Sequence, residues 1–363
     1  SESNTNEKMT LKNLGYTTEL ENYRKENNLS GFGVARVITE HKERYVVKNE
    51  TGDFEAELIG NLRFTAQDRS DFPAVGDWVA ISEYDTNKAL IHHVFPRTSI
   101  IERQAVGKHG QTQIIATNID VGFIVQAVNR DFNINRLERY LTICNASKVT
   151  PIIILTKIDL LANSELEVLL QSVSERIKNV EIIAISNETS EGVESIKSHI
   201  KKGNTYCLLG SSGVGKSTLI NSISEKEVMK TGAISESIDR GKHVTTHREL
   251  IVLENGGIII DNPGMREIGV TETSGGLEVT FETIFELANQ CRFSDCTHIH
   301  EKGCAILDAI EFGEIDEATY DNYIRLEREK QFFESSAQDK KKKDKNLGKL
   351  IKSVKKIKRH TKY

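Results

Sequence analysis

The sequence predicts a multidomain chain: a small β-barrel, then a doubly wound α/β domain, then a short, mostly helical segment. Three observations carry this. Five brief alternating apolar segments lie between residues 31 and 100, continuous apolar strands then alternate with amphipathic helices around a glycine-rich loop, and three cysteines cluster beyond residue 290. At 363 residues the chain is long for one domain. Its 38% hydrophobic and 28% charged residues are ordinary for a globular protein. No run of about 18 apolar residues is present, and Ser1 to Met9 lack the apolar core of a signal peptide. The expectation is a cytoplasmic monomer with no membrane partner.

Residues 1–30 are a polar N-terminal extension with one helical patch near Leu14 to Tyr23, and carry no functional signal. From Gly31 the segments Val34–Ile38, Arg44–Val47, Phe54–Leu58, Asp77–Ile81 and Ala89–Val94 alternate in polarity and are separated by turn clusters such as Asn49 to Asp53. Five short strands in 31–100 predict a barrel, of which the OB-fold is the commonest form, one that often binds oligonucleotides. An SH3-like barrel without a ligand is the competing expectation. The connector Pro96–Gln113 contributes Arg97, Arg103, Lys108 and His109, an ordinary composition for a solvated loop.

In 101–275 the period changes. Strands are expected at Val121–Val128, Ile152–Leu155, Val180–Ile185 and Tyr206–Leu209, with helices at Asn135–Ala146, Ser164–Lys178 and Glu191–Ile200. The last of these strands runs into Gly210, Ser211, Ser212, Gly213, Val214, Gly215, Lys216 and Ser217, followed by Thr218. This is G-x-x-x-x-G-K-[ST], a loop that turns backbone N–H groups onto phosphate oxygens and leaves the lysine for phosphate and the serine for Mg²⁺. Thr156-Lys157-Ile158-Asp159 stands at a strand end, where ligand loops emerge. A carboxylate there accepts from guanine N1–H and the 2-amino group, a donor pair adenine lacks, so Asp159 predicts GTP and GDP as ligands. Lys157 can cover the purine, and Ser186 can orient the loop.

Downstream, the polar stretch Thr231–Arg248 holds Thr245 and Thr246, either able to complete the Mg²⁺ shell begun by Ser217. A hairpin over Glu249–Glu254 and Gly257–Ile260 then ends in Asp261-Asn262-Pro263-Gly264. There Asp261 is expected to hold Mg²⁺ through water, and the Gly264 N–H to meet the γ-phosphate. An ordinary Ras-like GTPase places the P-loop first and the base-binding motifs last. Here T-K-I-D and Ser186 come first, so the domain is a circularly permuted α/β P-loop GTPase. The segment after Gly264 leads directly into the next domain, which predicts a link between γ-phosphate and the C-terminal part.

Residues 276–338 form the predicted zinc-binding domain. Cys291, Cys296 and Cys304, with His298 and His300, offer three thiolates and an imidazole, a closed set for structural Zn²⁺. The spacing alone leaves the two histidines open. Residues 339–363 are a basic tail. From Lys340 onward it has twelve Lys and Arg against Asp344, about +11 in a chain of formal charge −5, so the rest carries about −16. Leu347, Leu350, Ile351, Val354 and Ile357 give the tail a helical apolar stripe. Contact with rRNA, an anionic membrane surface and a solvated end are the competing readings.

Barrel, permuted GTPase and Cys3His segment together resemble the ribosome small-subunit-dependent GTPases of the RsgA/YjeQ family over nearly the whole chain. The resemblance implies His298 as the fourth zinc ligand, an N-terminal OB-fold, slow GTP hydrolysis stimulated by the 30S subunit, contact with 16S rRNA, and a role in late small-subunit maturation. Two features depart from the family: Ser186 is followed by Asn187 where GTPases usually carry Ala, and both ends are extended. Met265 stands where a Ras-like enzyme has Gln, and a thioether cannot orient water. Lys216 is therefore expected to neutralise charge, and a ribosome-ordered His243 or His247 to supply the missing catalytic group. A GTP-gated RNA-binding module and a large-subunit assembly GTPase are the rival readings.

Overall fold

The computed structural model describes residues 8–67, 69–104, 112–130, 132–211, 213–224, 249–262, 265 and 276–360. Two compact units emerge: residues 1–101 with 114–267, and residues 102–113 with 268–363.

In the first unit, helix α1 (Thr18–Glu26) is capped by Thr17, whose hydroxyl accepts from the Leu20 N–H. Strands β1 (Gly33–His41), β2 (Arg44–Asn49), β3 (Gly52–Leu58), β4 (Trp78–Asp85) and β5 (Lys88–Val94) close a barrel in the order β1-β2-β3-β5-β4, with helix α2 (Gly60–Thr65) between β3 and β4. The β3–β5 pair is parallel and the others antiparallel, the OB-fold arrangement. Alternate residues fill the interior: Ala35, Val37, Tyr45, Val47, Phe54, Ala56, Val79, Ile81 and Ile91 are all buried. The N-terminal extension has a structural task that its polar sequence did not reveal. Leu14 and Leu29, with Leu20 and Tyr23 of α1, cover the outward-facing Val34, Trp78, Ala80 and Phe95.

A two-stranded ribbon of β6 (Ile100–Gln104) and β7 (Thr112–Thr117) follows. Then come β8 (Val121–Ala127), α3 (Ile134–Ser147), β9 (Thr150–Thr156), α4 (Asn163–Arg176), β10 (Glu181–Ala184), α5 (Val193–His199), β11 (Thr205–Leu209), α6 (Lys216–Ser224), β12 (Leu250–Val252) and β13 (Ile258–Ile260). The sheet order is β10-β9-β8-β11-β13-β12, parallel except for the β12–β13 hairpin. On one face Phe123, Val125, Ile154 and Leu208 meet Ile196 of α5 and Leu219 and Ile220 of α6. On the other, Gly122 leaves room for Cys144 of α3, whose Sγ would stand 3.0 Å from an added Cβ. Both faces are thus covered, which explains the continuous apolar strands.

Barrel and sheet are joined by Arg36, which is 1% exposed. Its guanidinium donates from Nε to Gly76 O (2.9 Å), from Nη1 to Leu14 O and Thr205 Oγ1 (both 2.8 Å), and from Nη2 to Asn118 O (3.0 Å). Burial pulls its pKa down to about 10, so it stays charged at neutral pH. Beside it, buried Asp77 accepts from Arg97 Nη2 (2.8 Å), Thr117 Oγ1 (2.7 Å) and Ala74 N (2.7 Å). Arg97 is therefore a structural ion pair and not part of a solvated basic loop. Gly76, at φ +97°, passes so close that a Cβ would sit 2.2 Å from Thr117 O. Arg36→Met would strand these acceptors in the interior, and we expect a loss of about 3–5 kcal/mol of stability, read as a lowered midpoint in urea unfolding.

The second unit contains α7 (Gly276–Thr280), α8 (Glu282–Ala288), α9 (Ala305–Glu311) and α10 (Glu317–His360). Leu277, Phe281, Ile284, Ile306, Ala309, Tyr323 and Leu326 form its core, with Phe281 and Phe285 set edge-on to Tyr323 at 5.6 Å. Arg103 donates to Gln113 Oε1 across the ribbon at 3.3 Å, while Lys108 and His109 lie outside the described residues. The sequence suggested a break between the zinc-binding domain and the tail near residue 339. Instead α10 runs unbroken for 44 residues, because nothing from Tyr320 to Asn346 is proline or glycine and the intervening Glu, Gln and Lys favour helix. The side chains of Leu347, Leu350, Ile351, Val354 and Ile357 lie outside the described residues. Among the described residues, no helix is long and apolar enough to cross a membrane.

Candidate active site and metal centre

The glycine-rich loop leaves β11 at Gly210, whose φ is +153° and whose Cβ, if present, would stand 2.4 Å from Val125 O. Gly213 and Gly215 have φ of +82° and +97°. These are backbone states that other residues resist, and they let the loop arch before α6 begins at Lys216. Inside the arch, Lys216 Nζ donates to Gly210 O (2.6 Å) and Ser211 O (2.7 Å). Ser217 follows on the first turn of α6, half-buried, with Thr218 exposed beside it.

The T-K-I-D residues and Ser186 pack beside this loop. Thr156, fully buried at the end of β9, donates its hydroxyl proton to Val214 O at 2.7 Å. Lys157, in the left-handed conformation, lays its ammonium on Gly213 O at 3.1 Å. Asp159 Oδ1 accepts from Ser186 Oγ at 2.6 Å, and Ser186 Oγ accepts from Thr189 N at 3.1 Å. Loops from three strand ends are thus cross-linked by side-chain hydrogen bonds. Arg136 of α3 also reaches the loop, donating to Ser211 Oγ at 3.2 Å. No motif in the sequence singled out that arginine.

Asp261 follows β13, which pairs with β11 in the register Cys207 to Ile260, so its carboxylate stands at the same sheet end as the P-loop. Its N–H donates to Glu249 O at 2.9 Å. Burial, with Glu40 and Asp261 nearby, pushes the Glu249 carboxyl up to about 7. Asn262 donates to Ile115 O at 2.9 Å. Met265 is buried, its N–H on Asn262 O, so its side chain belongs to the core. Ser212, His243, Thr245, Thr246, His247 and Gly264 lie outside the described residues.

In the second unit, the structure brings Cys291, Cys296, His298 and Cys304 together with their ligand atoms all within 4.8 Å of one another. Cys291 Sγ and Cys304 Sγ are 3.9 Å apart, and each is 3.5 Å from His298 Nδ1. A tetrahedral zinc with Zn–S of about 2.3 Å needs sulfurs roughly 3.8 Å apart, so the donor set fits that ion in chemistry and in size. His298 adopts φ +63°, and its carbonyl accepts from Tyr320 Oη at 2.5 Å. Burial lowers its pKa, favouring the neutral imidazole that a metal requires. His300 is exposed and outside the cluster.

Residues 94–271 match the family model described as RsgA GTPase. The small ribosomal subunit biogenesis GTPase RsgA 1 of Oceanobacillus iheyensis is 40% identical over 316 residues, covering 86% of this chain and 90% of its own length. The chain belongs to the RsgA GTPase family. Among solved structures, YjeQ from Thermotoga maritima aligns with a TM-score of 0.58 and 26% identity, covering 83% of this chain and 97% of that one. YloQ, described as a circularly permuted GTPase, shares the fold with a TM-score of 0.56 and 24% identity over 85% of this chain and 96% of its own. This RsgA-family chain is accordingly a circularly permuted GTPase that hydrolyses GTP. Its permutation leaves the sheet continuous and moves only the chain ends, so the T-K-I-D and Ser186 loops precede the glycine-rich loop in sequence and still emerge beside it.

Proposed function

We propose that this protein binds the 30S ribosomal subunit and hydrolyses GTP to GDP and phosphate during late small-subunit maturation, in the cytoplasm and as a monomer. The observation that carries the reading is the 40% identity, over 316 residues and 86% of this chain, to a relative named for small-subunit biogenesis. In this reading Gly210 to Thr218, with the Gly264 N–H, hold the phosphates. Thr156 and Lys157 brace the loop, and Asp159, oriented by Ser186, reads guanine. Ser217, Asp261 and Thr245 or Thr246 hold Mg²⁺, which supplies charge neutralisation at the phosphates. Lys216 neutralises charge that builds on the transferring phosphoryl group. Cys291, Cys296, His298 and Cys304 hold one structural Zn²⁺. The barrel and the basic end of α10 face 16S rRNA.

The buried thioether of Met265 supports slow unaided turnover, because it offers nothing to orient water. The ribosome is then the activator, and His243 or His247 supplies the missing group once the 231–248 stretch is ordered on the particle. GTPase rates with and without purified 30S and 50S subunits test this, paired with nucleotide-dependent co-sedimentation. We expect at least tenfold stimulation by 30S alone, lost in His243→Ala or His247→Ala. Equal stimulated rates in both variants and wild type would remove the histidines from the mechanism, and stimulation by 50S instead would remove the small-subunit assignment.

A further inference from the structure

Strand β1 of the barrel outlasts its neighbour β4. Their pairing ends at Arg36, opposite Trp78, and Val37 completes that edge by accepting from Gly76 N and donating to Asp77 O. Thr39 to His41 pair only with β2, on the other side. A register shift between Val37 and Thr39 leaves Ile38 out of the β2 ladder as well, a bulge that frees its carbonyl. Ile38 is buried, and a buried carbonyl needs a partner.

Glu249 is that partner. Its N–H donates to Ile38 O at 3.1 Å, and its carboxyl group accepts from the Glu40 N–H. One residue thus caps both polar groups on the open edge of β1. The Glu249 carbonyl in turn accepts from the Asp261 N–H at 2.9 Å, one step beyond the β12–β13 pair of Leu250 with Ile260. The ladder between β11 and β13 ends at Cys207 and Ile260, so past that point the bond to Glu249 fixes the Asp261 N–H. We propose that Glu249 is a positioning residue through which the barrel sets the place of Asp261, so that strand β1 serves the Mg²⁺ site without touching the ion. This rests on the assignment of Asp261 to Mg²⁺ made above. It gives the barrel a task in the GTPase besides rRNA contact, because a shift of β1 reaches Asp261 through the Ile38–Glu249 and Glu249–Asp261 hydrogen bonds.

The test compares the full-length wild type with Glu249→Ala, Glu249→Gln and Val37→Ala. Amide exchange at Asp261 is followed without added Mg²⁺, and the dissociation constant of mant-labelled GDP is followed as Mg²⁺ is raised. Alanine removes the carboxyl that holds Glu40, so exchange at Asp261 should be about tenfold faster and the Mg²⁺ midpoint about fivefold higher. Glutamine keeps an oxygen for the Glu40 N–H and should stay within about twofold of wild type on both measures. Val37→Ala thins the barrel core but leaves the three hydrogen bonds of Glu249 in place. It should lower the thermal midpoint and move neither measure. An alanine variant within about twofold of wild type on either measure overturns the proposal. So does a glutamine variant as impaired as alanine, or the same two shifts in Val37→Ala. Failure of the underlying Mg²⁺ reading would look different: Asp261→Ala would leave the Mg²⁺ dependence of GDP binding at its wild-type value, whatever residue stands at 249.

Discussion

Lys216→Ala should lower the rate of GTP hydrolysis by at least about a hundredfold. The Lys216 ammonium lies inside the P-loop arch, 2.6 Å from Gly210 O and 2.7 Å from Ser211 O, so the loop itself fixes its position. A preplaced charge aimed at a developing anion is the type of contact whose single removal costs about 10²–10³ in kcat. The helix that carries it gains its stability from Leu219, Ile220 and Ile223 in the core, and truncating the lysine should leave the fold intact. Single-turnover hydrolysis with and without 30S subunits measures the effect, with thermal unfolding as the control for folding. A rate within tenfold of wild type would show that the P-loop backbone and Mg²⁺ do the neutralising without it.

Removing metal from the second unit should unfold that unit and spare the first. Three of the four clustered side chains are cysteines, packed with a core of nine buried residues, too few to order the segment alone. Structural zinc in comparable peptides contributes apparent binding energies of about 10–16 kcal/mol at neutral pH, and that binding is folding energy. Purified protein should carry one zinc per chain. After treatment with a strong chelator, or in Cys304→Ser, amide exchange across residues 276–330 should accelerate by orders of magnitude. Exchange in β8, β9 and β11 should keep its protection, and GDP should still bind. Metal-free protein with unchanged protection in 276–330 would show that the helices hold themselves together and that the cysteines are buried for packing alone.

Much of the site was legible because its parts are short and local. The P-loop is eight consecutive residues, T-K-I-D is four, and each strand leading to them is a continuous apolar run. The glycines at 210, 213 and 215 announce positive φ because few other residues tolerate it. What was illegible depends on partners far away in sequence. Arg36 looked like a strand residue, yet its hydrogen bonds reach Leu14, Gly76, Asn118 and Thr205. Arg97 reads in sequence as part of a basic loop, yet its guanidinium pairs with buried Asp77. The helical patch before residue 30 is too polar to suggest a lid, because only one of its faces, through Leu20 and Tyr23, meets the barrel.

Much of the chemistry was readable from order and spacing: the P-loop spacing and the order of the motifs predicted a permuted GTPase, Asp159 pointed to guanine, and the cysteine spacing pointed to a metal site. Each of these is a property of residues close together along the chain or of their order. The tertiary structure places His298 among the thiols, as the resemblance implied and spacing alone left open, because His298 and His300 differ by two positions and backbone geometry turns one of them inward. It also decided that Thr156 gives its hydroxyl proton to Val214 O and that Ser186 gives its own to Asp159. Those facts arise where three strand ends meet, and the pairing of parallel strands, which brings distant segments to one sheet edge, is a long-range outcome that local composition does not encode.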